Sequence, residues 1–452
     1  MGRLPLEGIR ILEPGWIWAV PYAGRLLGDM GAQVIKVESC VRLDTSRTGG
    51  LRGIGPEEEH WNQGYGYNER ARNKLGVTLD LTKPEGANLF KELVKVSDVV
   101  LENYAPRVMR NFGLDYPVLK EVNPGIIMVS ASGYGQDGPW EHYGAWGMSL
   151  EPMSGFSHMT GYKDGPPLRG GIAYTDPLSS HAVAFAVMLA LEYRRRTGVG
   201  QYIDLAQYEV GVTLMAESIL DYLMNGRIHT PAANEHPSMA PHNVYPCKGD
   251  DMWIAIAVSS DEEWEALRRA MGDPEWAMDK RFGDVVSRWR HREELDEKIG
   301  EWTLTWNHYE LMLTLQRAGV PAGAAFNSKE ICLDPHLKAR SFFTKITHPP
   351  RAGSLGTRLY PDVPWKMSRV PDRAHDPSPT LGQHNREILG DLLGLPEGEL
   401  AELEDQDIVG TRPLGYAMRP PRQVPLEELK KRGTIRDYDT DFMEILGREY
   451  GF

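Results

Sequence analysis

The stretch GIRILEPGWIWAVPYAGRLLGDMGAQVIKVE, residues 8–38, decides the fold. An apolar strand over 8–13 stops at Pro14-Gly15, a helix covers 21–30, and a second strand covers 33–38. Two strands joined by a helix pair in parallel, with a right-handed crossover. The pattern therefore predicts an α/β sheet whose ligands bind at the carboxyl ends of the strands.

The alternation of strands and helices continues along the chain. Further strand-like runs are at 77–81, 98–102, 126–130 and 201–205. Helical stretches lie at 84–96, 116–122 and 210–224. The sequence contains no Walker A motif, and no G-x-G-x-x-G joins the first strand to its helix. These absences argue against a dinucleotide or nucleoside triphosphate site of the usual kind.

The length of 452 residues favours two domains over one core. Proline-rich polar stretches indicate where linkers interrupt the sheet domain. The predicted plan begins with a large α/β domain over 1–226, a linker over 227–243 and a smaller α+β domain over 244–347. A second linker over 348–379 leads back to the large domain over 380–412. The C-terminal tail over 413–452 is interpreted as a docked segment or subunit contact.

Composition narrows the function classes. The 50 Lys and Arg against 63 Asp and Glu give a net charge of −13, which argues against nucleic-acid and polybasic membrane partners. No apolar run reaches the roughly 18 residues of a membrane span. Cys40, Cys247 and Cys332 lack zinc or disulfide spacing, and no His/Asp/Glu cluster predicts a metal site. We expect a cytoplasmic protein.

A second informative stretch is GGIAYTDPLSSH, residues 170–181. Asp176 has a side chain preferred at a helix N-cap, and Pro177 suits the first helical position. The apolar run that follows predicts a buried helix ending at Gly198. Asp176 is thus either a capping aspartate or a carboxylate held ionised for nucleophilic attack.

Motifs in a fixed order from about residue 4 to 395 resemble the class III coenzyme A transferases, the CaiB/BaiF group. The motifs are 6–12, 27–38, Asn73-Lys74, 77–81, Glu102-Asn103-Tyr104 with Pro106, Asn123-Pro124, 133–139, 164–167, Thr197-Gly198, Gly200-Gln201, 318–322, Asp334-Pro335 with Leu337, and 381–384. The resemblance implies a Rossmann-like large domain, a smaller α+β domain, and an interlocked dimer of two ring-like subunits.

The resemblance also implies a covalent mechanism at Asp176. In the family, the matching aspartate attacks an acyl-CoA thioester to form a mixed anhydride. The CoA thiolate then gives an aspartyl-CoA thioester, and the incoming acid takes the CoA through a second anhydride. Coenzyme A thioester is therefore a substrate, and no tightly bound cofactor or metal is expected.

The family's CoA contacts fall on four separated stretches of this sequence. They match Trp18, Ala19, Leu79, Asp80, Leu81, Thr82, Asn103, Tyr104, Ala105, Gly144, Ala145, Trp146 and Gly147, with Arg107 and Arg110 expected to hold phosphates. The basic residue that formyl-CoA transferase has after Glu38 is Ser39 here, so Arg42 is the expected substitute. At a second position where formyl-CoA transferase has an arginine, this sequence has Asn111.

Aromatic residues indicate which class of free acid accepts the coenzyme A. Trp16, Trp18, Tyr22, Trp140 and Trp146 would form a broad apolar pocket, unless they belong to the core. The expected reaction moves CoA from an acyl-CoA, with succinyl-CoA as one candidate, to a bulky or apolar free acid such as a substituted succinate.

Two alternatives remain at this point. The first is an acyl-CoA racemase or epimerase of the same superfamily. Its histidine would fall at Trp146, whose indole cannot exchange a proton. The second is a non-catalytic CoA-binding subunit paired with an active paralogue, against which the retention of Asp176 argues. The assembly is accordingly expected to be a homodimer or a heteromer.

Overall fold

The computed structural model describes residues 4–48, 59–371, 375–415 and 424–452. The chain forms two compact units. The larger unit comprises Met1–His158, Leu168–His229 and His336–Phe452, and the smaller unit comprises Met159–Pro167 and Thr230–Pro335. None of the helices within the described ranges is long and apolar enough to cross a membrane.

The larger unit is built on a parallel sheet. Within the described residues its six strands are β1 (Arg10–Glu13), β2 (Gln33–Glu38), β3 (Lys74–Thr78), β4 (Val99–Glu102), β5 (Ile127–Ser130) and β6 (Tyr202–Asp204). Their order is β3-β2-β1-β4-β5-β6, and every pair is parallel. The parallel α/β sheet predicted from residues 8–38 is confirmed.

Helices cover both faces of this sheet. They are α1 (Ala19–Asp29), α2 (Tyr65–Arg70), α3 (Pro84–Lys95), α4 (Arg107–Asn111), α5 (Tyr116–Val122), α6 (Gly147–Met153), α7 (Phe156–Met159), α8 (Thr175–Thr197), α9 (Gln207–Thr213) and α10 (Ala216–Asn225). Neighbouring residues of β1 enter different cores: Leu12 packs with Phe90 of α3, and Ile11 packs with Val20 of α1 and Val183 of α8. Successive side chains of a strand point to opposite faces, which explains this division.

The smaller unit has an antiparallel sheet of β7 (His242–Pro246), β8 (Trp253–Ala257) and β9 (Ala322–Ala324). Its helices are α11 (Asp261–Ala270), α12 (Val285–Arg290), α13 (Arg292–Thr303), α14 (His308–Arg317) and α15 (Ser328–Leu333). The side chain of Ser260 accepts the Glu263 N–H and so caps α11.

The remaining elements belong to the C-terminal part of the chain. They are α16 (Pro335–Ala339), the antiparallel pair β10 (Phe343–Thr347) and β11 (Thr357–Pro361), a π-helix over Arg386–Leu392, α17 (Glu397–Asp405), α18 (Leu426–Lys431) and α19 (Phe442–Tyr450). The tail helix α19 contacts α16, because Glu449 of α19 pairs with Lys338 of α16 at 2.8 Å. Strands occupy part of both stretches interpreted as linkers.

Two predicted elements differ from the structure. The helix predicted over 210–224 is divided into α9 and α10, since Leu214 and Met215 lie outside both helices. The strand predicted over 77–81 pairs over Lys74–Thr78 instead. Beyond Thr78 the chain turns, because Asp80 accepts hydrogen bonds from the N–H and the hydroxyl of Thr82.

Candidate active site

The strand order reverses between β1 and β4, where ligands bind in open α/β sheets, at the carboxyl ends of the strands. Three stretches predicted to bind CoA lie at this edge: 79–82 and 103–105 follow β3 and β4 directly, and Trp18 ends the loop between β1 and α1. Helix α8 runs back antiparallel to β6, which it precedes, so its N-terminus lies at this same edge. Three of the four predicted CoA-binding stretches and Asp176 thus share the carboxyl edge.

Asn103 joins the loops that follow β1 and β4. Its Oδ1 accepts the Trp16 N–H at 2.7 Å, and its Nδ2 donates to the Trp16 carbonyl at 2.9 Å. The Tyr104 hydroxyl donates to the Pro14 carbonyl at 2.6 Å, and the Tyr104 ring packs edge-on against Trp16. These contacts fix the two loops on either side of the switch point.

Ile17 adopts a left-handed backbone conformation with φ +66°. A β-branched residue rarely adopts this conformation, and such strain concentrates at functional sites. The Ile17 N–H donates to Asp44 Oδ2 at 3.1 Å, and its carbonyl accepts from Arg70 Nη1 at 2.9 Å. The surrounding hydrogen bonds hold this turn, which directs Trp18 at the start of α1.

Asp176 is the second residue of α8 and not its N-cap. The helix begins at Thr175, Tyr174 occupies the cap position, and no side chain caps the helix there. The prediction of a capping aspartate was therefore wrong by two positions, although the side chain still lies in the first turn, where the helix dipole favours an anion. The predicted stop at Gly198 is confirmed by its left-handed conformation.

The Asp176 carboxylate lies directly against the backbone of Gly147. A β-carbon built at Gly147 would lie 2.0 Å from Asp176 Oδ2 and 2.7 Å from Ala173 Cβ. The Thr175 hydroxyl donates to the Gly147 carbonyl at 3.4 Å. Only glycine at position 147 leaves room for the carboxylate, so one predicted CoA-binding residue is in contact with the predicted nucleophile.

Three influences set the pKa of Asp176. Burial is the largest and raises the pKa, the positive charge of Arg70 lowers it, and the negative charge of Glu151 raises it; together they give a pKa of about 6. A carboxyl group with this pKa is mostly ionised near neutral pH, yet it is poorly solvated. Both properties suit a carboxylate nucleophile.

Glu151 is a fully buried carboxylate on α6, and no sequence motif points to it. Its Oε1 accepts the Tyr174 N–H at 2.9 Å, which fixes the residue that enters α8. Its Oε2 has no hydrogen-bond partner within the described part of the chain. Glu151 thus positions the start of α8 and places a negative charge near Asp176.

Arg70 is a second residue that sequence analysis missed. It ends α2, and its guanidinium lies over the Trp18 ring at 4.0 Å from the ring centre. Burial lowers the pKa of Arg70, while the charges of Glu69 and Asp176 raise it. Arg70 belongs to no recognisable motif, so only the tertiary fold places it beside Asp176.

The comparisons with known proteins identify the family. The sequence profile described as CoA-transferase family III matches residues 6–385. The chain belongs to this family. The resemblance drawn from the separated motifs is therefore confirmed, and the protein is an enzyme of the CoA-transferase class.

Relatives of this CoA-transferase cover nearly its whole length. The succinyl-CoA–D-citramalate CoA-transferase of Chloroflexus aurantiacus is 38% identical over 405 residues, which are 90% of this chain and 98% of the relative. The succinate–glutarate CoA-transferase of Agrobacterium fabrum is 34% identical over 389 residues, 86% of this chain and 96% of the relative. A solved CaiB/BaiF family structure from Brucella suis has a TM-score of 0.78 at 30% identity and covers 87% of this chain and 100% of its own.

The other predicted CoA-binding residues of this CoA-transferase vary in exposure. Ala19, Leu79 and Leu81 are buried in the cores, so their side chains serve packing and only their backbones are available to a ligand. Arg107 and Arg110 are exposed on α4, as a phosphate contact requires. The remaining positions divide into buried Asp80 and Gly147, half-exposed Trp18, Asn103, Tyr104 and Ala145, and exposed Thr82, Ala105, Gly144 and Trp146.

The five aromatic residues of the predicted pocket do not form one cluster. Trp16 contacts Tyr104, Trp18 contacts Arg70, and Tyr22 contacts His181. Trp140 belongs to a separate cluster with Tyr134, Tyr143 and Tyr208, and Trp146 is exposed at the start of α6. Across the described residues, ring contacts therefore do not connect Trp140 with Trp16 or Trp18.

One acidic cluster among the described residues has the spacing of a metal site. The ligand atoms of Asp29, Asp362 and His375 lie within 4.8 Å of one another. Arg72 already donates to Asp29 at 2.7 Å and approaches Asp362 at 3.4 Å, and Arg25 lies 3.2 Å from Asp29. Two guanidinium groups thus neutralise these carboxylates, which fits a buried ion-pair network.

Proposed function

We propose that this enzyme moves coenzyme A from succinyl-CoA to a free dicarboxylic acid, of which a substituted succinate is the favoured type, with Asp176 as the covalent nucleophile. The observation that carries the proposal is the position of Asp176 in the first turn of α8, pressed against Gly147 at the carboxyl edge, with a pKa of about 6. The activities for which the two relatives are named support the choice of donor and of acid class.

The proposed chemistry has four balanced steps. Asp176 attacks the thioester carbonyl of succinyl-CoA, giving a succinyl-aspartyl anhydride and the CoA thiolate. The thiolate attacks the aspartyl carbonyl, which forms aspartyl-CoA and releases succinate. The acceptor carboxylate attacks aspartyl-CoA, producing a second anhydride and the thiolate. The thiolate then attacks the acceptor's carbonyl, which yields the new acyl-CoA and frees Asp176.

The surroundings of Asp176 supply what this chemistry needs. The amino-terminal end of α8 has positive partial charge that stabilises the ionised carboxylate and the oxyanions that develop on it. Burial limits the access of water, which would hydrolyse the anhydride or the thioester. The bare backbone of Gly147 permits close approach to the reacting atoms.

Mass spectrometry and one isosteric variant test the mechanism. Incubation with succinyl-CoA should give a CoA adduct on the peptide that contains Asp176, and a free acceptor acid should discharge it. Asp176→Asn should abolish exchange and leave CoA binding largely intact. Asp405→Asn, an exposed position on α17, is the matched control and should keep full activity. Exchange by Asp176→Asn would contradict the assignment.

A panel of free acids tests the acceptor. Succinate, glutarate and alkyl- or aryl-substituted succinates should be accepted, since Trp16 and Trp18 lie in the loop that follows β1 at the carboxyl edge. Oxalate and formate should be poor acceptors because they leave an apolar site unfilled. Turnover of oxalate or formate in preference to every larger acid would contradict this part of the proposal.

We also propose that the enzyme works as a homodimer or as a heteromer with a paralogous subunit. Supporting this, α8 and α10 expose apolar side chains, among them Phe185, Leu189, Leu220 and Leu223. Exposed apolar surface of this kind marks subunit contacts. Size-exclusion chromatography with light scattering should give at least twice the chain mass, and a folded, active monomer would contradict it.

A further inference from the structure

The cations near the carboxyl edge are mostly committed to buried carboxylates. Lys74 donates to both oxygens of Glu13, at 2.7 and 2.9 Å, and Lys36 lies 3.5 Å from Asp44. Arg47 binds both oxygens of Glu38 at 2.7 Å. These three cations neutralise acids of the protein itself and have little charge left for an anionic substrate.

Arg70 is placed differently. Its Nε is buried and makes no hydrogen bond within the described structure, and its side chain is 13% exposed. The carboxylate beside it is Glu69, whose Oε2 lies 3.8 Å from Nε and whose Oε1 already accepts from Arg25 at 2.6 Å. A buried donor left without a partner is costly unless a ligand satisfies it.

The guanidinium of Arg70 is also held in one orientation. Its Cζ lies over the Trp18 indole, 4.0 Å from the ring centre, and Nη1 donates to the Ile17 carbonyl at 2.9 Å. A planar guanidinium fixed on an aromatic face keeps its remaining N–H groups available for a carboxylate. Arg70 meets the carboxyl edge at the Ile17 carbonyl and the Trp18 ring, and its positive charge lowers the pKa of Asp176.

The acids handled by the curated relatives share one chemical feature. Succinate, D-citramalate and glutarate each carry a second carboxylate, separated from the reacting carboxylate by two or three carbon atoms. This second carboxylate meets an edge that already holds the Asp176 carboxylate and the buried Glu151, whose Oε2 has no hydrogen-bond partner among the described residues. Repulsion from these two carboxylates favours a nearby cation as the partner of a dianionic substrate.

We infer that Arg70 binds the distal carboxylate of the dicarboxylic substrates, in the donor acyl group and in the acceptor acid alike, and so sets a preference for dicarboxylates over monocarboxylates. The inference rests on the proposed function, since donor and acceptor react in turn at Asp176. One cation therefore serves both half-reactions.

Matched acid pairs test the inference. Arg70→Gln and wild type are assayed with succinyl-CoA as donor. Each pair compares a dicarboxylate with the monocarboxylate of the same chain length: a succinate analogue with butyrate, and glutarate with valerate. The ratio of kcat/KM between the dicarboxylate and the monocarboxylate should fall roughly 10- to 100-fold in Arg70→Gln, the range for a lost hydrogen bond to a charged group. Arg70→Lys should retain part of the preference, because it keeps the charge without the planar fork.

The acid ratio separates this role from an effect on Asp176. Arg70 also stabilises the ionised form of Asp176, but that effect acts equally on both acids of a pair and cancels in the ratio. Butyryl-CoA as donor gives the corresponding test of the acyl group. Arg195→Gln, at the far end of α8, is the matched control and should leave the ratio unchanged.

A binding measurement keeps the test independent of turnover. In the Asp176→Asn background, glutarate should raise the thermal midpoint more than valerate does, and adding Arg70→Gln should remove the difference. Equal losses for both acids in the kinetic assay would overturn the role of Arg70 while leaving CoA transfer intact. Exchange that survives in Asp176→Asn would instead overturn the proposed function.

Discussion

Asp176 lies between two opposing charges in a poorly solvated position. Arg70 stabilises its ionised form, and Glu151 together with burial stabilises its protonated form. The resulting pKa of about 6 means that activity depending on ionised Asp176 is full well above pH 6, is half-maximal near pH 6 and is lost as the pH falls further. A carboxyl group at its ordinary pKa would lose activity only below about pH 4.

Removing the charge of Glu151 should shift this acidic limb. In Glu151→Gln the carbonyl oxygen still accepts the Tyr174 N–H, whereas the negative charge that raises the pKa of Asp176 is gone. The pKa of Asp176 should fall, so the acidic limb of kcat/KM should move to lower pH. The measurement is a pH profile of kcat/KM from pH 4.5 to 8 for both proteins.

An exposed glutamate provides the control for this profile. Glu121→Gln on α5 removes the same charge at the surface, where screening by solvent is strong, and should leave the limb in place. An unchanged or raised limb in Glu151→Gln would show that Glu151 does not act on Asp176 through its charge.

Adding one methyl group at Gly147 should displace Asp176, the proposed nucleophile. The new β-carbon would lie 2.0 Å from Asp176 Oδ2, so either the carboxylate rotates away or the start of α6 shifts. Gly147→Ala should reduce kcat by at least about 100-fold, because a displaced nucleophile loses its alignment. The free energy of unfolding should fall by only about 1–3 kcal/mol, the usual cost of overpacking.

A glycine in open space is the matched control. A β-carbon at Gly300, in α13 of the smaller unit, meets nothing within 4 Å, so Gly300→Ala should keep full activity. Steady-state kinetics and urea unfolding of both variants give the comparison. Full activity in Gly147→Ala would mean that the contact between Gly147 and Asp176 is not maintained in the working enzyme.

At the scale of elements, the loops after β1 and β4 depend on one amide side chain. Asn103→Asp keeps the acceptor for the Trp16 N–H but sets a carboxylate oxygen against the Trp16 carbonyl. We expect the free energy of unfolding to fall by about 1–3 kcal/mol. The KM for acyl-CoA should rise, since this loop pair borders the predicted CoA site.

An Asn-to-Asp substitution at a helix cap is the control that separates the loss of the hydrogen bond to Trp16 from the effect of the added negative charge. Asn307 accepts the N–H groups of Tyr309 and Glu310 through its side-chain oxygen, and Asp is an equally good cap. Asn307→Asp should therefore change neither stability nor KM. If Asn103→Asp behaved in the same way, the bridge to Trp16 would have no energetic role.

Elements with strong local signals could be predicted from the sequence. The strand over 33–38 and the helix over 116–122 match the structure residue for residue, because turn residues bound their patterns. The break between α9 and α10 has no such marker, since neither Leu214 nor Met215 disfavours a helix. Tertiary packing decides that boundary.

The site was predictable where a motif identified it and not elsewhere. Asp176, Gly147 and Asn103 were found through family motifs, and the structure brings them to the same edge of the sheet. Arg70 and Glu151 act on Asp176 from α2 and α6, at sequence separations of 106 and 25 residues. Electrostatic neighbours of this kind have no periodicity or spacing that a single sequence displays.

At the scale of the whole molecule, the outer face of α8 is an exposed apolar surface. The predicted buried helix is only half covered in the single chain, since Phe185, Met188 and Leu189 are exposed. Helix α10 has no buried residue at all, although its side chains include Leu220 and Leu223. Apolar helices in this state are expected to be covered by another chain.

Charge placed on this surface should therefore break the assembly. Leu189→Glu and Leu223→Glu introduce an unpaired carboxylate where a subunit contact is expected, and burying such a charge is strongly unfavourable. Both variants should elute as monomers. Leu304→Glu is the control, since Leu304 in the smaller unit is 51% exposed against 55% for Leu189, and it should leave the mass unchanged.

Because α8 carries Asp176 at its other end, loss of the partner should also loosen the first turn and lower kcat. Variants that stay dimeric would place the subunit contact on another surface.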